Sequence, residues 1–358
     1  MANATAIDGA TSVTDWDWVN RMHAMEVPLV LGIQSATPAS LEAALKVYTE
    51  WIHPTVALTV VFPLLLGLGR RAVALHLALT FCTSDVANLL LKCTLAGDRP
   101  YWASPSVRQF PMTCEGGFGM PSGHLQAFTA VSYFLLARLR ASYAVFGVHA
   151  FFVIVGAYSR VYTGSHFPSQ TLLGWAVGAA FGLGGHRLLR GQEVAKLLGP
   201  GARPARRAGA LAGFAAACAA AMASAYVLLE LAGRDPLASL AHARAACHSA
   251  RGVLGLVFET ASGLFGVLLG VAAVSLACPC TDGMERMTPV RCVLAALGVV
   301  AHQQAMVRLK GDVGAFGDGP DGPRSVFIAL VLGFSSIVLA APLSLLPLLP
   351  SLALPKLR

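Results

Sequence analysis

Three short segments carry the residue types able to do chemistry. They are Lys92-Cys93-Thr94-Leu95-Ala96-Gly97-Asp98-Arg99-Pro100, Pro121-Ser122-Gly123-His124, and Ser159-Arg160-Val161-Tyr162-Thr163-Gly164-Ser165-His166. A lysine ammonium is a point charge and a guanidinium makes bidentate contacts, so Lys92, Arg99 and Arg160 suit a phosphate dianion. Ser122-Gly123 opens an apolar run. A turn at a helix N-terminus adds free amides and the helix dipole, and glycine lets the backbone come close to the anion. Imidazole titrates near neutral pH, so His124 and His166 can divide the roles of nucleophile and acid. A histidine that attacks phosphorus leaves a phosphohistidine for water to cleave. No group of Asp and Glu with metal-site spacing accompanies them, which points to a reaction needing neither metal nor other cofactor.

Each of these residues has a commoner role when taken alone. A single Lys or Arg at the end of an apolar segment is usually an interfacial anchor. Pro-Ser-Gly is an ordinary turn. The grouping changes the weighing, because charge within a membrane segment costs about 2.5–3.5 kcal/mol on insertion scales. Asp85, Asn88 and Lys92 fall at i, i+3 and i+7 and so share one face of a helix. A carboxylate there is costly unless paired, and Asp85 is expected to hold Lys92 or one of the histidines in place.

The elements that must position these residues are apolar helices. Of the 358 residues, 56% are hydrophobic and 12% charged, where soluble domains carry about 25% charge. Stretches of roughly 20 apolar residues recur, each long enough to cross a bilayer. Nine spans are expected, near Trp51–Leu68, Ala72–Leu91, Pro121–Leu139, Tyr143–Tyr162, Ser169–His186, Ala208–Leu231, Val253–Ala277, Pro289–Leu309 and Ser325–Leu348. The fold class is thus an all-α polytopic membrane protein, read as one domain over residues 1–358 with a helical-bundle core at about 50–190. The first 50 residues are expected outside the bilayer or along its surface, and the first span to serve as its own insertion signal. Alternating topology brings the end of span two, the start of span three and the end of span four to one membrane face.

The net charge of +8 does not mark a nucleic-acid partner, because the basic residues form no stripe between aromatics. They gather in short loops, fourteen of the 26 on the face opposite the three segments, most densely between Arg187 and Arg207. That bias sets the segments and the N-terminus on the lumenal side and the C-terminus in the cytosol. A sequon at Asn3-Ala4-Thr5 fits the same orientation. Cys82, Cys218 and Cys292 read as small core residues. Cys278 and Cys280 supply two ligands where a structural zinc needs four.

The pattern Lys-x6-Arg-Pro, Pro-Ser-Gly-His and Ser-Arg-x5-His resembles the phosphatidic-acid phosphatase and vanadium haloperoxidase superfamily. Within it the likeness is to the glucose-6-phosphatase catalytic subunit family, through Arg99-Pro100-Tyr101-Trp102, Gln109-Phe110-Pro111, Thr113-Cys114-Glu115, His166-Phe167-Pro168, Asp85, Asn88 and Gly32-Ile33-Gln34-Ser35. It is dense from about residue 32 to 175. The resemblance implies a multi-pass protein of the endoplasmic reticulum membrane that hydrolyses glucose 6-phosphate at a lumenal site, with a glucose-6-phosphate transporter as a candidate partner. It implies His166 as nucleophile and His124 as the acid protonating the leaving oxygen. Lys92, Arg99, Arg160 and the Ser122-Gly123 backbone would hold the phosphate. Glu115 and Gln34 are candidate sugar contacts by family position, and Glu115→Ala is expected to alter discrimination among hexose phosphates.

Some positions depart from the pattern. Gln170 stands where the wider superfamily places the Asp that orients the nucleophile, a change that resembles the glucose-6-phosphatase branch. His53 stands where an acidic residue is expected, with Glu50 one turn earlier as a candidate substitute. The loop Tyr101–Phe110 is short, and Ala103 replaces a second Trp. Lys356 is half of a dilysine retrieval signal. The alternatives are a related phosphatase for another sugar or lipid phosphate, or a non-catalytic phosphate-ester transporter or scaffold. Charges at one end of the helices argue against a transporter, whose site lies near the midplane.

Overall fold

The computed structural model describes residues 17–233 apart from 69, 111–112, 114, 116 and 199–201, together with 239 and 243. The chain there is helical, without a β-sheet among the described residues. Helices α1 (Asp17–Ala36) and α2 (Ala39–Trp51) lead into a segment broken three ways: α3 (Pro54–Val56), a π turn (Ala57–Val61) and α4 (Phe62–Gly67). The long helix α5 (Arg71–Leu95) ends at Ala96 in the left-handed region, φ 44°, and Gly97 follows it. The short α6 (Pro100–Ala103) comes next, then α7 (Gly123–Arg138), α8 (Tyr143–Tyr162) and α9 (Pro168–Leu188). Helices α10 (Gln192–Leu198) and α11 (Pro204–Leu231) close the described chain.

Proline opens α6, α9 and α11, where its missing N–H is one that no helix would bond. Ser142 caps α8 by accepting from Val145 N.

Helices α5, α7 and α9 pack together as the bundle that carries the site. The closest approach is between α7 and α9. A methyl group on Gly174, Gly178 or Gly182 of α9 would stand 2.6, 2.4 and 2.6 Å from the carbonyls of Ser122, Gln126 and Ala130 on α7. Three glycines four residues apart thus let one backbone rest on the other, the small-residue packing typical of membrane helices. On the far side of α5 an apolar cluster including Phe62, Leu77, Phe81, Phe134 and Leu211 ties α4, α7 and α11 to it. Helix α8 instead turns Val148, Phe151 and Ile154 outward, as a helix does that faces lipid.

By length and composition, three helices among the described residues can cross a membrane: Ala72–Ala103, Tyr143–Tyr162 and Ala205–Leu231. The pair Ala39–Trp51 and Pro54–Leu66, bent by 52°, makes a fourth if it is one span. The expected third and fifth spans form as α7 and α9 but fall short of that standard. α7 has 16 residues, about 24 Å, and α9 gives up apolar bulk to glycine. The last three expected spans, the sequon, the Cys278–Cys280 pair, Cys292 and the C-terminal lysine lie outside the described residues.

The first 50 residues hold two helices: α2 is half of the bent pair, and α1 packs on α6, α8 and α9. His23 and Val30 of α1 are fully buried there. The signal was weak because α1 mixes buried positions with polar ones that meet loops, which blurs its helical period.

Candidate active site

Four ends of helices meet at one end of the bundle: the C-termini of α5 and α8 and the N-termini of α7 and α9. They bring Lys92, Arg99, Ser122, Arg160 and His166, all at most 8% exposed, into one buried cluster. The loop from Glu115 to Met120 crosses it and supplies the carbonyls that hold the cations. Lys92 Nζ donates to Phe118 O at 2.5 Å. Arg99 donates from Nε to Gly117 O at 2.7 Å and from a terminal nitrogen to Ser165 O at 3.1 Å. Its guanidinium also lies 5.8 Å from the Trp102 ring centroid.

Glu115 sits between the two arginines. One carboxylate oxygen is 2.8 Å from Arg99 and the other 2.5 Å from Arg160. Burial alone would raise its pKa, but Arg99 and Arg160 outweigh that and hold the carboxyl well below the usual carboxylate range. Its backbone is pinned too, since the Tyr101 hydroxyl accepts from Glu115 N at 3.3 Å and lies 3.2 Å from Glu115 O.

His166 is fully buried. Its Nδ1 lies 2.9 Å from Gly119 O and 3.1 Å from Gln170 Oε1, two acceptors, so Nδ1 carries the proton. Nε2 then holds the lone pair, and it has no hydrogen-bond partner among the described residues. Burial, helped by Arg99 and Arg160, keeps the imidazole pKa well below 6.5, so the ring is neutral at pH 7. Ser122 Oγ and Arg160 Nε are likewise buried without a partner among the described residues. A nucleophilic nitrogen, a hydroxyl and a guanidinium N–H left unspent within one cationic pocket form a site for a small anion.

His124, in the first turn of α7, is in electrostatic reach of Arg160, Glu115, His53 and Arg99. The His53 ring meets it edge-on, centroids 4.7 Å apart. Glu50, the expected substitute for an acid at that point, is exposed, and His53 itself is the neighbour.

Gln34, Asp85 and Glu115, the remaining expected residues, are placed as follows. Gln34 donates to Arg108 O and Tyr162 O, both at 2.8 Å, and accepts from Arg108 N at 2.9 Å. Its amide is engaged with backbone at both ends, so it clamps loop to helix. Among the described residues Lys92 makes no ion pair with Asp85. The stripe is completed by Asn88, which donates to Gln126 at 2.8 Å, and by Gln126, which donates to Ser84 O at 2.6 Å. Glu115 lies on the arginines through both carboxylate oxygens.

Sequence reasoning missed the support from α1. Glu26 accepts from Ser169 N and Oγ at the start of α9, Asn20 accepts from Asp98 N, and His23 lies against Gln170. Polar residues spaced along an amphipathic helix carry no motif, so only the fold reveals them.

Residues 73–192 match the PAP2 superfamily model. The chain is similar to glucose-6-phosphatase catalytic subunit 1 of Haplochromis nubilus, 34% identical over 135 residues, covering 30% of this chain and 38% of the relative. It is 31% identical over 150 residues to the Mus musculus protein of that name, covering 35% and 42%. To glucose-6-phosphatase 3 of Mus musculus it is 34% identical over 142 residues, covering 34% and 41%. The matched part therefore spans about two fifths of the length of these curated relatives. No solved structure matches the chain.

Proposed function

We propose that this chain, which matches the PAP2 superfamily over residues 73–192 and is similar to glucose-6-phosphatase catalytic subunits, is a membrane phosphatase that hydrolyses glucose 6-phosphate through a phosphohistidine. The observation that carries this reading is the His166 imidazole. Its Nδ1–H is held by Gly119 O and Gln170, while Nε2 is unprotonated, buried and beside two guanidinium groups.

The phosphate of the substrate takes the place between Arg99, Arg160, Lys92 and the Ser122-Gly123 turn. The dianion meets three cations, the Ser122 hydroxyl and the N-terminus of α7. His166 Nε2 attacks phosphorus, a P–N bond forms, and the P–O bond to the sugar breaks. His124, protonated once the dianion's negative charge lies beside it, gives that proton to the departing sugar oxygen. The charge that develops on His166 is shared through Nδ1–H with Gly119 O and Gln170 Oε1, both already in place. His124, now neutral, takes a proton from water. The resulting hydroxide attacks phosphorus, breaks the P–N bond and frees inorganic phosphate. No step in this sequence needs a metal.

The basic residues at the helix ends support a lumenal orientation. Arg71, Arg138 and Arg187 lie at the opposite ends of α5, α7 and α9 from the site. A positive-inside orientation would put the site in the lumen of the endoplasmic reticulum, where a separate transporter for the sugar phosphate would deliver substrate. The unit of activity is the single domain 1–358.

The test is phosphate release by purified full-length protein in detergent containing EDTA, with glucose 6-phosphate, other hexose phosphates and diacylglycerol phosphate offered separately. Release from glucose 6-phosphate, abolished by His166→Ala, is expected. Preference for the lipid substrate would move the assignment to a lipid phosphatase. Folded wild type that leaves every ester intact would end the enzyme reading.

A further inference from the structure

Behind His166 a chain of polar contacts runs into α1. The Gln170 side chain is engaged at both ends of its amide. Its Oε1 accepts from Phe167 N at 3.2 Å and faces His166 Nδ1 at 3.1 Å. Its Nε2 donates to Asp98 O at 2.6 Å and lies 3.3 Å from His23 Nε2. A backbone N–H only donates and a backbone carbonyl only accepts, so Phe167 and Asp98 together fix which end of the amide is oxygen. The second amide hydrogen therefore points at His23 Nε2, which must accept it with a lone pair.

We infer that His23 is a positioning residue: it accepts this hydrogen, steadies the Gln170 amide, and through Gln170 sets the hydrogen bond that orients the His166 ring. This role rests on the phosphatase reading above.

Several independent features agree with it. His23 is fully buried and stacked on Phe167, the residue next to His166, with centroids 4.7 Å apart and planes 14° from parallel. Its other nitrogen, Nδ1, is buried without a hydrogen-bond partner among the described residues. The proton thus sits where it gains nothing, as expected if the contact with Gln170 dictates the tautomer. A methyl group on Gly97 would stand 2.6 Å from His23 Cε1, so the loop after α5 presses on the ring and limits its rotation. Burial, against an opposing pull from Asp98, holds the pKa down to about 4, and the ring is neutral and able to accept at pH 7. Losing the acceptor would leave a buried donor unsatisfied on the residue that touches the nucleophile.

The experiment compares His23→Phe and His23→Gln with wild type in two readouts. Phenylalanine keeps the stack on Phe167 and deletes the acceptor, while the glutamine side-chain oxygen reaches about as far as Nε2. In protein labelled with ¹⁵N-histidine, His166 should show one tautomer, with Nδ1 protonated, in wild type and His23→Gln. In His23→Phe the Nδ1–H resonance is expected to shift as its bond to Gln170 loosens. Correspondingly, kcat should fall about tenfold in His23→Phe, KM should stay within about twofold, and His23→Gln should recover most of kcat. Should His23→Phe fail to fold, His23→Asn, too short to reach Gln170, carries the same expectation. An unchanged His166 spectrum in the folded acceptor-less variant would overturn the inference, as would a kcat loss that His23→Gln does not repair. The spectroscopic arm does not depend on turnover, so failure of the phosphatase reading and failure of the relay are told apart.

Discussion

Glu115 occupies, with two oxygens, the two guanidinium groups that a phosphate would need. A carboxylate is a planar anion with half the charge of a phosphate dianion, so it can hold Arg99 and Arg160 apart and ordered until the substrate takes them over. The two arginines keep it ionised far below neutral pH, so it opposes any second anion at the site. Replacing it with the neutral isostere removes that opposition. Glu115→Gln should bind inorganic phosphate about tenfold tighter, measured as competitive inhibition of turnover. Weaker binding would instead make the carboxylate a required organiser of the arginines. The cations and histidines were legible in the sequence because they interrupt apolar runs. The carbonyls of Gly117, Phe118 and Gly119 that aim them were not, since a backbone acceptor has no residue type. Gln170 was legible as a departure from a pattern, whereas its partners His23 and Asp98 come from segments 147 and 72 residues away.

At the scale of elements, the site depends on how closely α9 lies on α7, because Ser122 opens one helix and Gln170 stands in the first turn of the other. Ser122 N donates to Gln170 O at 3.0 Å, joining the two helix starts directly. A methyl group on Gly178 would meet Thr129 Oγ1 at 1.9 Å and Gln126 O at 2.4 Å, both on the first two turns of α7. Gly178→Ala should therefore force the helices apart, destabilise the fold by about 1–3 kcal/mol and lower kcat at the same time. Gly184→Ala on the same helix, where a methyl group meets nothing within 4 Å, should leave melting temperature and turnover alone. Equal behaviour of the two variants would show that this interface does not set the site. Small residues along the fifth apolar segment made close packing legible, but not which helix it served. The bend after Trp51 and the packing of α1 were not legible, because each depends on tertiary contacts that local periodicity does not encode.

For the whole molecule, polar chemistry is confined to one end of an apolar bundle. Three or four described helices can cross a bilayer, and the candidate catalytic groups sit where alternating helices share an end. Segments as far apart in sequence as Lys92 and His166 meet there because membrane helices must start and stop at the same two planes. That convergence was legible in the alternation of apolar runs along the sequence. The measurement that tests the mechanism most directly is trapping of the phosphoenzyme. Full-length protein is mixed with ³²P-labelled glucose 6-phosphate, quenched in alkali within milliseconds, and digested to locate the label. The label should be acid-labile, lie on His166 and be absent from His166→Ala. Release of phosphate with the label on another residue, or with no labelled protein at any quench time, would contradict nucleophilic catalysis by His166.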